Sequence, residues 1–423
     1  MATLPHSART PFPDAFQSLS AAVSTGPGRK KKLLYLAVCD PDLEVTGATV
    51  RMGAFVSHLA RYYDVALVNM AGSGHRVAPA IEGRYRDRDN RLGVTRRERV
   101  DFSPAGYFLL SPALYRAACA LLRTAPFDYL LADYGLAAVY GTLLSRRYRV
   151  PLIYSSHNVE YRMYQDLSKH DLRRSVLAPY VYWAERAACR AARLVVTISE
   201  SDRKQYARWI PSDRIEVIPQ GFDPKLAHPF YESPPSSPPI VLFVGSFRGE
   251  NNRRAGRLIV KEIAPAMLQL RADVRFQLVG ADPPSDWRGV NVDCPGFVDD
   301  LKPYLKRANL VIAPMPLAHG MATKIVSALA FGKTVLATPE AAGGISGAYR
   351  QLEVAPLGAF PARIAELLIA RPTVDSGDFA ALRTEFAWSS LMARLHQRIE
   401  ASCAESNAGP SLRPRMWGGM PWP

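Results

Sequence analysis

Short, continuous apolar runs that alternate with helical stretches constrain this chain more than any other feature. LLYLAV (Leu33–Val38), VALVNM (Val65–Met70), PLIYSS after Val150, ARLVVTIS (Ala192–Ser199), IVLFVGSF (Ile240–Phe247) and VRFQLVGAD (Val274–Asp282) are runs of this kind. An unbroken apolar run of this length reads as a strand buried on both faces, the condition of a parallel sheet covered by helices. Strand, helix and strand in succession form βαβ units, so the chain reads as α/β. At 423 residues it has room for two or three domains. HPFYESPPSSPPI (His228–Ile240) is proline-rich and without periodicity, and reads as a stiff linker. The expected organisation is a disordered lead-in over 1–30, a first domain over 31–228, a linker over 229–240 and a second domain over 241–385. A helix over 386–401 and a disordered tail over 402–423 complete it. Two α/β domains on a short linker leave a cleft between them, where substrates bind.

Composition narrows the function classes. Hydrophobic content of 48% and charged content of 22% are those of a globular protein. A net charge of +15 favours an acidic partner: nucleic acid, anionic lipid or a phosphorylated substrate. The basic residues are scattered rather than striped and no nucleic-acid module is recognised, so a nucleic-acid role rests on charge alone. Five widely spaced cysteines make no C-x-x-C pair or Cys/His cluster, which supports neither a metal site nor a disulfide framework. The first 32 residues lack the apolar core of a signal peptide, and no run approaches the roughly 18 residues that span a bilayer. A cytoplasmic protein is expected, peripheral at the inner face of the membrane. The segment between Tyr161 and Arg193 supports that contact, because Arg186, Arg190 and Arg193 interleave there with Tyr180, Tyr182 and Trp183. A solvated helix packed by its aromatic side is the other reading of it.

Val311–Ile345 carries the densest site signal. A strand ends at Pro314, a loop holds His319 and Gly320, a helix runs from about Ala322 to Phe331, and a second strand follows. Ligands of parallel sheets sit at strand carboxyl ends, where loops enter helix N-termini that attract anions. Lys324 lies in the first turn of this helix and Ser327 shares its face, which makes a phosphate site or an ordinary crossover with a solvated lysine. Other strand-end loops supply Gly47, Gly245-Ser246-Phe247-Arg248, Asp282–Pro284 and Gly296-Phe297-Val298. Glycines and cations at such positions suit a diphosphate. His157 and Glu160 are the close His/carboxylate pair, suited to orienting a sugar hydroxyl or to acid–base work. Asp40-Pro41-Asp42 reads as turn chemistry rather than a metal-binding D-x-D.

In order, TGAT, HNVEY, VVTISESD, VIPQGFD, FVGSF with an Asn-containing loop, GFVDDLKPYLKRANLVIAPM and GMATKIVSALAFGKTVLAT resemble the motifs of group 1, or family-4, glycosyltransferases. The resemblance spans Leu33 to Ala401. It implies the GT-B fold: two Rossmann-like domains whose parallel sheets face a central cleft, with the last helix crossing back to the first domain. It implies transfer from a nucleotide-sugar donor to an acceptor, with retention of configuration and no cofactor or metal. A lipid-linked saccharide of bacterial polysaccharide biosynthesis is the acceptor it suggests. By the same resemblance Lys324 and one of Arg248, Arg253 and Arg254 neutralise the diphosphate, Phe297 and Val298 hold the base, and His157 lies near the transferred sugar. The chain departs from the pattern at His319 and Ser327, where many relatives carry glutamates. Ser246 stands for a basic residue and Gln220 for asparagine. A serine in place of the second glutamate removes a charged acceptor for ribose hydroxyls, a loss of about 1.5–3 kcal/mol. A catalytically degenerate protein that binds a nucleotide or partner without turnover is the alternative these departures raise.

Overall fold

The computed structural model describes residues 30–37, 47–69, 76–77, 112–168, 172–223, 236–287, 289–298, 300–316, 323–343, 345, 349–370 and 376–404. Residues 1–29 of the expected lead-in, residues 405–423 of the expected tail, Asp40-Pro41-Asp42 and most of the proline-rich linker lie outside them, as do His319 and Gly320, whereas residues 402–404, expected in the tail, continue the last helix.

The first domain contains β1 (Lys32–Ala37), α1 (Gly47–Leu59), β2 (Asp64–Asn69), β3 (Arg76–Val77), α2 (Pro112–Thr124), β4 (Tyr129–Asp133) and α3 (Gly135–Tyr148). It continues with β5 (Leu152–Ser155), α4 (Glu160–Ser168), α5 (Leu172–Ala191), β6 (Leu194–Thr197), α6 (Glu200–Tyr206) and β7 (Ile215–Val217). The sheet order is β3-β2-β1-β4-β5-β6-β7. All neighbours are parallel except the two-residue edge strand β3, which runs antiparallel to β2. All residues of β4, β5 and β6 are buried, as the unbroken apolar runs require. Each fully buried Leu or Ile in these strands contributes roughly 1.5–3 kcal/mol of transfer free energy.

The second domain contains β8 (Ile240–Val244), α7 (Glu250–Leu258), a π-turn (Ile259–Ile263), α8 (Ala264–Leu270), β9 (Arg275–Val279), β10 (Val292–Gly296), α9 (Lys302–Arg307) and β11 (Leu310–Ala313). It continues with α10 (Thr323–Ala330), β12 (Val335–Ala337), α11 (Pro339–Ala342), β13 (Leu352–Val354), α12 (Phe360–Ala370) and α13 (Ser376–Phe386). Its sheet is wholly parallel, in the order β10-β9-β8-β11-β12-β13. The order reverses between β1 and β4 in the first sheet and between β8 and β11 in the second. Loops diverge at such switch points and open a crevice at the strand carboxyl ends.

Two expected helical stretches each carry more than one element. The stretch from Tyr161 to Arg193 forms α4 and α5, separated by residues outside the described set. The helix after β8 is broken by the π-turn, an insertion that shifts the helical register within one continuous rod.

The last helix, α14 (Trp388–Ala404), crosses back to the first domain. Leu391, Met392, Leu395 and Ile399 are buried in that domain's core. Trp388 meets Phe55 edge-on at 6.1 Å. Glu400 accepts from Tyr63 at 3.0 Å and Tyr129 at 3.1 Å, and pairs with Lys31. The crossing is pinned where Phe222 N donates to Phe386 O (2.9 Å) and Trp388 N donates to Phe222 O (3.0 Å). Leu395→Ala should therefore lower unfolding free energy by about 2–5 kcal/mol in a urea titration. A loss under about 1 kcal/mol would mean that the helix is not docked.

Candidate active site

In the second domain, the ends of β8, β9 and β10, on one side of the switch point, form a shelf with few side chains. The ladder continues past the strands: Gly245 N donates to Val279 O (3.0 Å), Phe247 N to Ala281 O (2.8 Å) and Gly280 N to Gly296 O (2.9 Å). Gly280 has φ 154°, and a Cβ there would lie 2.0 Å from Gly245 O. A Cβ on Gly245 would meet the Asn252 amide at 2.7–2.8 Å. Backbone thus approaches backbone where a side chain would block access. Phe297 is 61% exposed at the shelf's rim, and Val298 packs partly on the domain's core.

Lys324 lies in the first turn of α10, across the β8–β11 seam from this shelf. Its residue surface is half-buried, yet its ammonium is enclosed by neutral groups. Nζ donates to Asn252 Oδ1 (2.7 Å), lies 3.5 Å from Met315 Sδ and sits 4.0 Å from the centroid of the Phe243 ring. Burial pushes the ammonium down to about 7. Ser327 follows on the same helix, half-buried. The arginines proposed for the diphosphate are otherwise engaged. Arg248 pairs with the exposed Asp282, Arg253 Nε donates to Phe247 O (3.1 Å), and Arg254 Nε donates to Glu250 Oε1 (2.9 Å). Ser246 accepts from Asn252 Nδ2 through its carbonyl (2.9 Å).

The first domain places its own polar cluster at its switch point. Gly47 opens α1. His157 follows β5 and is buried, and its Nε2 lies 2.9 Å from Asp133 Oδ1. Sequence proximity suggests Glu160 as its carboxylate. The partner is instead Asp133, because β4 and β5 run side by side and pair Asp133 with Ser155. Tyr35 donates to the other Asp133 oxygen (2.7 Å). Burial would raise the Asp133 carboxyl, but His157 and these hydrogen bonds outweigh it and hold it below the usual range. Tyr134, next in the chain, has φ 85°, an uncommon backbone for a non-glycine residue, and its ring lies 5.3 Å from that of His157. Glu160 opens α4, whose first amides are capped by Glu185: Glu160 N and Tyr161 N each donate to it at 3.0 Å. Burial pushes Glu185 up to about 7 against those donors. Arg51 of α1 is fully buried, donates to Pro219 O (3.0 Å), and is pushed down to about 10 by burial.

Asp133, Asn252, Arg51 and Glu185 were not among the expected site residues. Asp133 alone had a legible signal: a carboxylate closing an otherwise apolar strand.

Residues 45–226 match the family model described as Glycosyltransferase Family 4, and residues 238–368 match the model described as Glycosyl transferases group 1. The chain is a glycosyltransferase built of a family 4 domain and a group 1 domain. Its fold is GT-B, and similar solved structures share it along nearly their whole length. Sucrose-phosphate synthase from Thermosynechococcus elongatus is 18% identical, with a TM-score of 0.68 over 89% of this chain and 100% of that one. Anabaena HepE, solved with UDP and glucose, is 16% identical, with a TM-score of 0.60 over 88% and 100%. The lipopolysaccharide outer core galactosyltransferase WaaB is 12% identical, with a TM-score of 0.55 over 88% and 99%. No curated protein matches the sequence.

In this glycosyltransferase the enclosed Lys324 costs stability, and the sign of its pH dependence follows. Its folded value, about 7, lies below the ordinary 10.5, so the unfolded chain binds the extra proton between those values. Wild-type stability contributed by this group thus rises with pH from about 7 to 10.5. Lys324→Met should be more stable than wild type at pH 6, with the advantage shrinking towards pH 10 in denaturant titrations. A gap that does not change with pH would contradict the burial of this ammonium.

Proposed function

We propose that this glycosyltransferase takes a sugar from a nucleoside-diphosphate sugar held on the second domain and passes it to a lipid-linked saccharide met by the first, as in bacterial polysaccharide assembly. The observation that carries the donor assignment is the Lys324 ammonium, enclosed by neutral groups beside the glycine shelf. A diphosphate placed there would meet a cation with no competing carboxylate among the contacts described above. As the glycosidic bond breaks, negative charge grows on the leaving diphosphate, and a fixed cation aimed at it lowers the barrier. This reading needs no metal and retains anomeric configuration. HepE has been solved with UDP-glucose and with UDP, which supports a nucleotide-sugar donor here. Buried and held by Asp133, the His157 imidazole is fixed in orientation beside the acceptor-side crevice, where it would position a sugar hydroxyl.

A peripheral membrane contact at the inner face of the cytoplasmic membrane fits the surface of α5. Pro179, Trp183, Ala187 and Arg190 form one exposed stripe, with Trp183 60% exposed and the Arg186 guanidinium 5.1 Å from its ring. An amphipathic aromatic beside cations suits the interface of an anionic bilayer. No helix among the described residues is long and apolar enough to cross a membrane.

The direct test is transfer or donor hydrolysis from a panel of nucleotide sugars. Lys324→Ala should lower kcat by about 10²-fold or more. Undiminished turnover would overturn the donor site. Nucleotide binding without turnover by the wild type would favour the degenerate reading raised by Ser327. For the membrane contact, the double variant Trp183→Ala, Arg186→Ala should lose binding to anionic vesicles by roughly tenfold or more. Vesicle binding that is unchanged would reject α5 as the contact.

A further inference from the structure

Asn252 is the residue that joins the two halves of the donor crevice. It lies in the first turn of α7, 72 residues before Lys324 in the chain, yet its side chain touches both the shelf and α10. Oδ1 accepts from Lys324 Nζ at 2.7 Å, and Nδ2 donates to Ser246 O at 2.9 Å. Chemistry fixes that orientation of the amide. An ammonium only donates and a carbonyl only accepts, so the oxygen must face Lys324 and the nitrogen Ser246. The amide fills the space that a Cβ on Gly245 would enter, at 2.7–2.8 Å. It is therefore wedged between the end of β8 and the start of α10.

We infer that Asn252 is a positioning residue for the donor diphosphate: it anchors the Lys324 ammonium through a neutral oxygen and leaves the positive charge for the ligand. This rests on the donor reading above. A carboxylate at this position would hold the lysine as firmly but cancel its charge, and would leave Ser246 O without its donor. An alanine would release the ammonium. A neutral amide alone satisfies the cation on one side and the carbonyl on the other while adding no charge. The anchor also ties the shelf loop to the helix that carries Lys324, so the cation keeps a fixed height above the strand ends.

The test compares a nucleoside diphosphate with its monophosphate by calorimetric titration of the full chain, using whichever of UDP, ADP and GDP the wild type binds most tightly. Asn252→Ala should weaken diphosphate binding by about tenfold or more while changing monophosphate binding less than about threefold. Asn252→Asp should weaken diphosphate binding at least as much. Gly245→Ala, which keeps Asn252 but displaces its amide, should reproduce the Asn252→Ala selectivity loss, and thermal melting confirms that each variant is folded. If the wild type prefers the diphosphate and both Asn252 variants keep that preference, the positioning role is wrong although the donor reading stands. If the variants weaken both nucleotides equally, Asn252 is structural and the inference also falls. If the wild type binds none of the three diphosphates, the donor reading itself fails, and the role of Asn252 with it.

Discussion

Parallel strands all leave their sheet at the same edge, and the rest of this molecule follows from that constraint. Apart from the short β3, each sheet is parallel, so the loops that follow β1, β4, β5 and β6 emerge together, as do those after β8, β9, β10 and β11. Covering helices return the chain to the opposite edge and bury both faces, which is why the strands can be apolar throughout. In the inner strands β4, β5 and β6, Asp133, Ser155 and Thr197 are the polar residues that close the carboxyl ends. Where the strand order reverses, adjacent loops diverge, and the site residues gather there without any one segment having to carry them all.

The buried charges show what this edge costs. In the first domain Asp133, His157, Arg51 and Asp202 are buried at or beside strand carboxyl ends, and Arg51 Nε and Nη2 have no hydrogen-bond partner among the described residues. Burial pushes Asp202 up to about 6 and Arg51 down to about 10, the shifts expected when ionised groups leave water. In the second domain the same cost falls on Lys324. A fold selected for stability alone would replace these groups with apolar ones of similar size. Lys333, before β12, is buried as well, so burial alone does not mark a site, but the gathering of Asp133, His157 and Arg51 near one switch point and of Lys324 near the other is what binding and catalysis ask of one. Phe222, at the end of the first domain, is hydrogen-bonded to the segment that returns the chain from α13 to α14 and bridges Ala387 in parallel.

Much of this was legible in the sequence because the buried strands are local. Leu33–Val38 was read as a strand and is β1 (Lys32–Ala37), and the helix expected from about Ala322 is α10 (Thr323–Ala330). The place of Lys324 in the first turn of that helix was legible for the same reason: a helix start after an apolar strand is a pattern within ten or so residues. The basic segment was read as helical and carries α4 and α5, with residues 169–171 between them outside the described set. What stayed hidden depends on neighbours distant in the chain. His157 was paired with Glu160 because they are close in sequence, whereas the register of β4 against β5 brings Asp133 to the imidazole. Asn252 was noted only within the Asn-containing loop after FVGSF, and its contact with Lys324, 72 residues away in the chain, shows only in the structure.

The central claim is that the nucleoside diphosphate sits on the second domain, between the glycine shelf and the start of α10. Amide hydrogen exchange with and without saturating UDP, followed by mass spectrometry, tests it most directly. Peptides covering Gly245–Arg254 and Thr323–Ala330 should gain protection in the presence of UDP, and peptides from β4 to α4 should change less. Protection confined to the first domain, or absent from both second-domain segments while UDP is bound, would contradict the account.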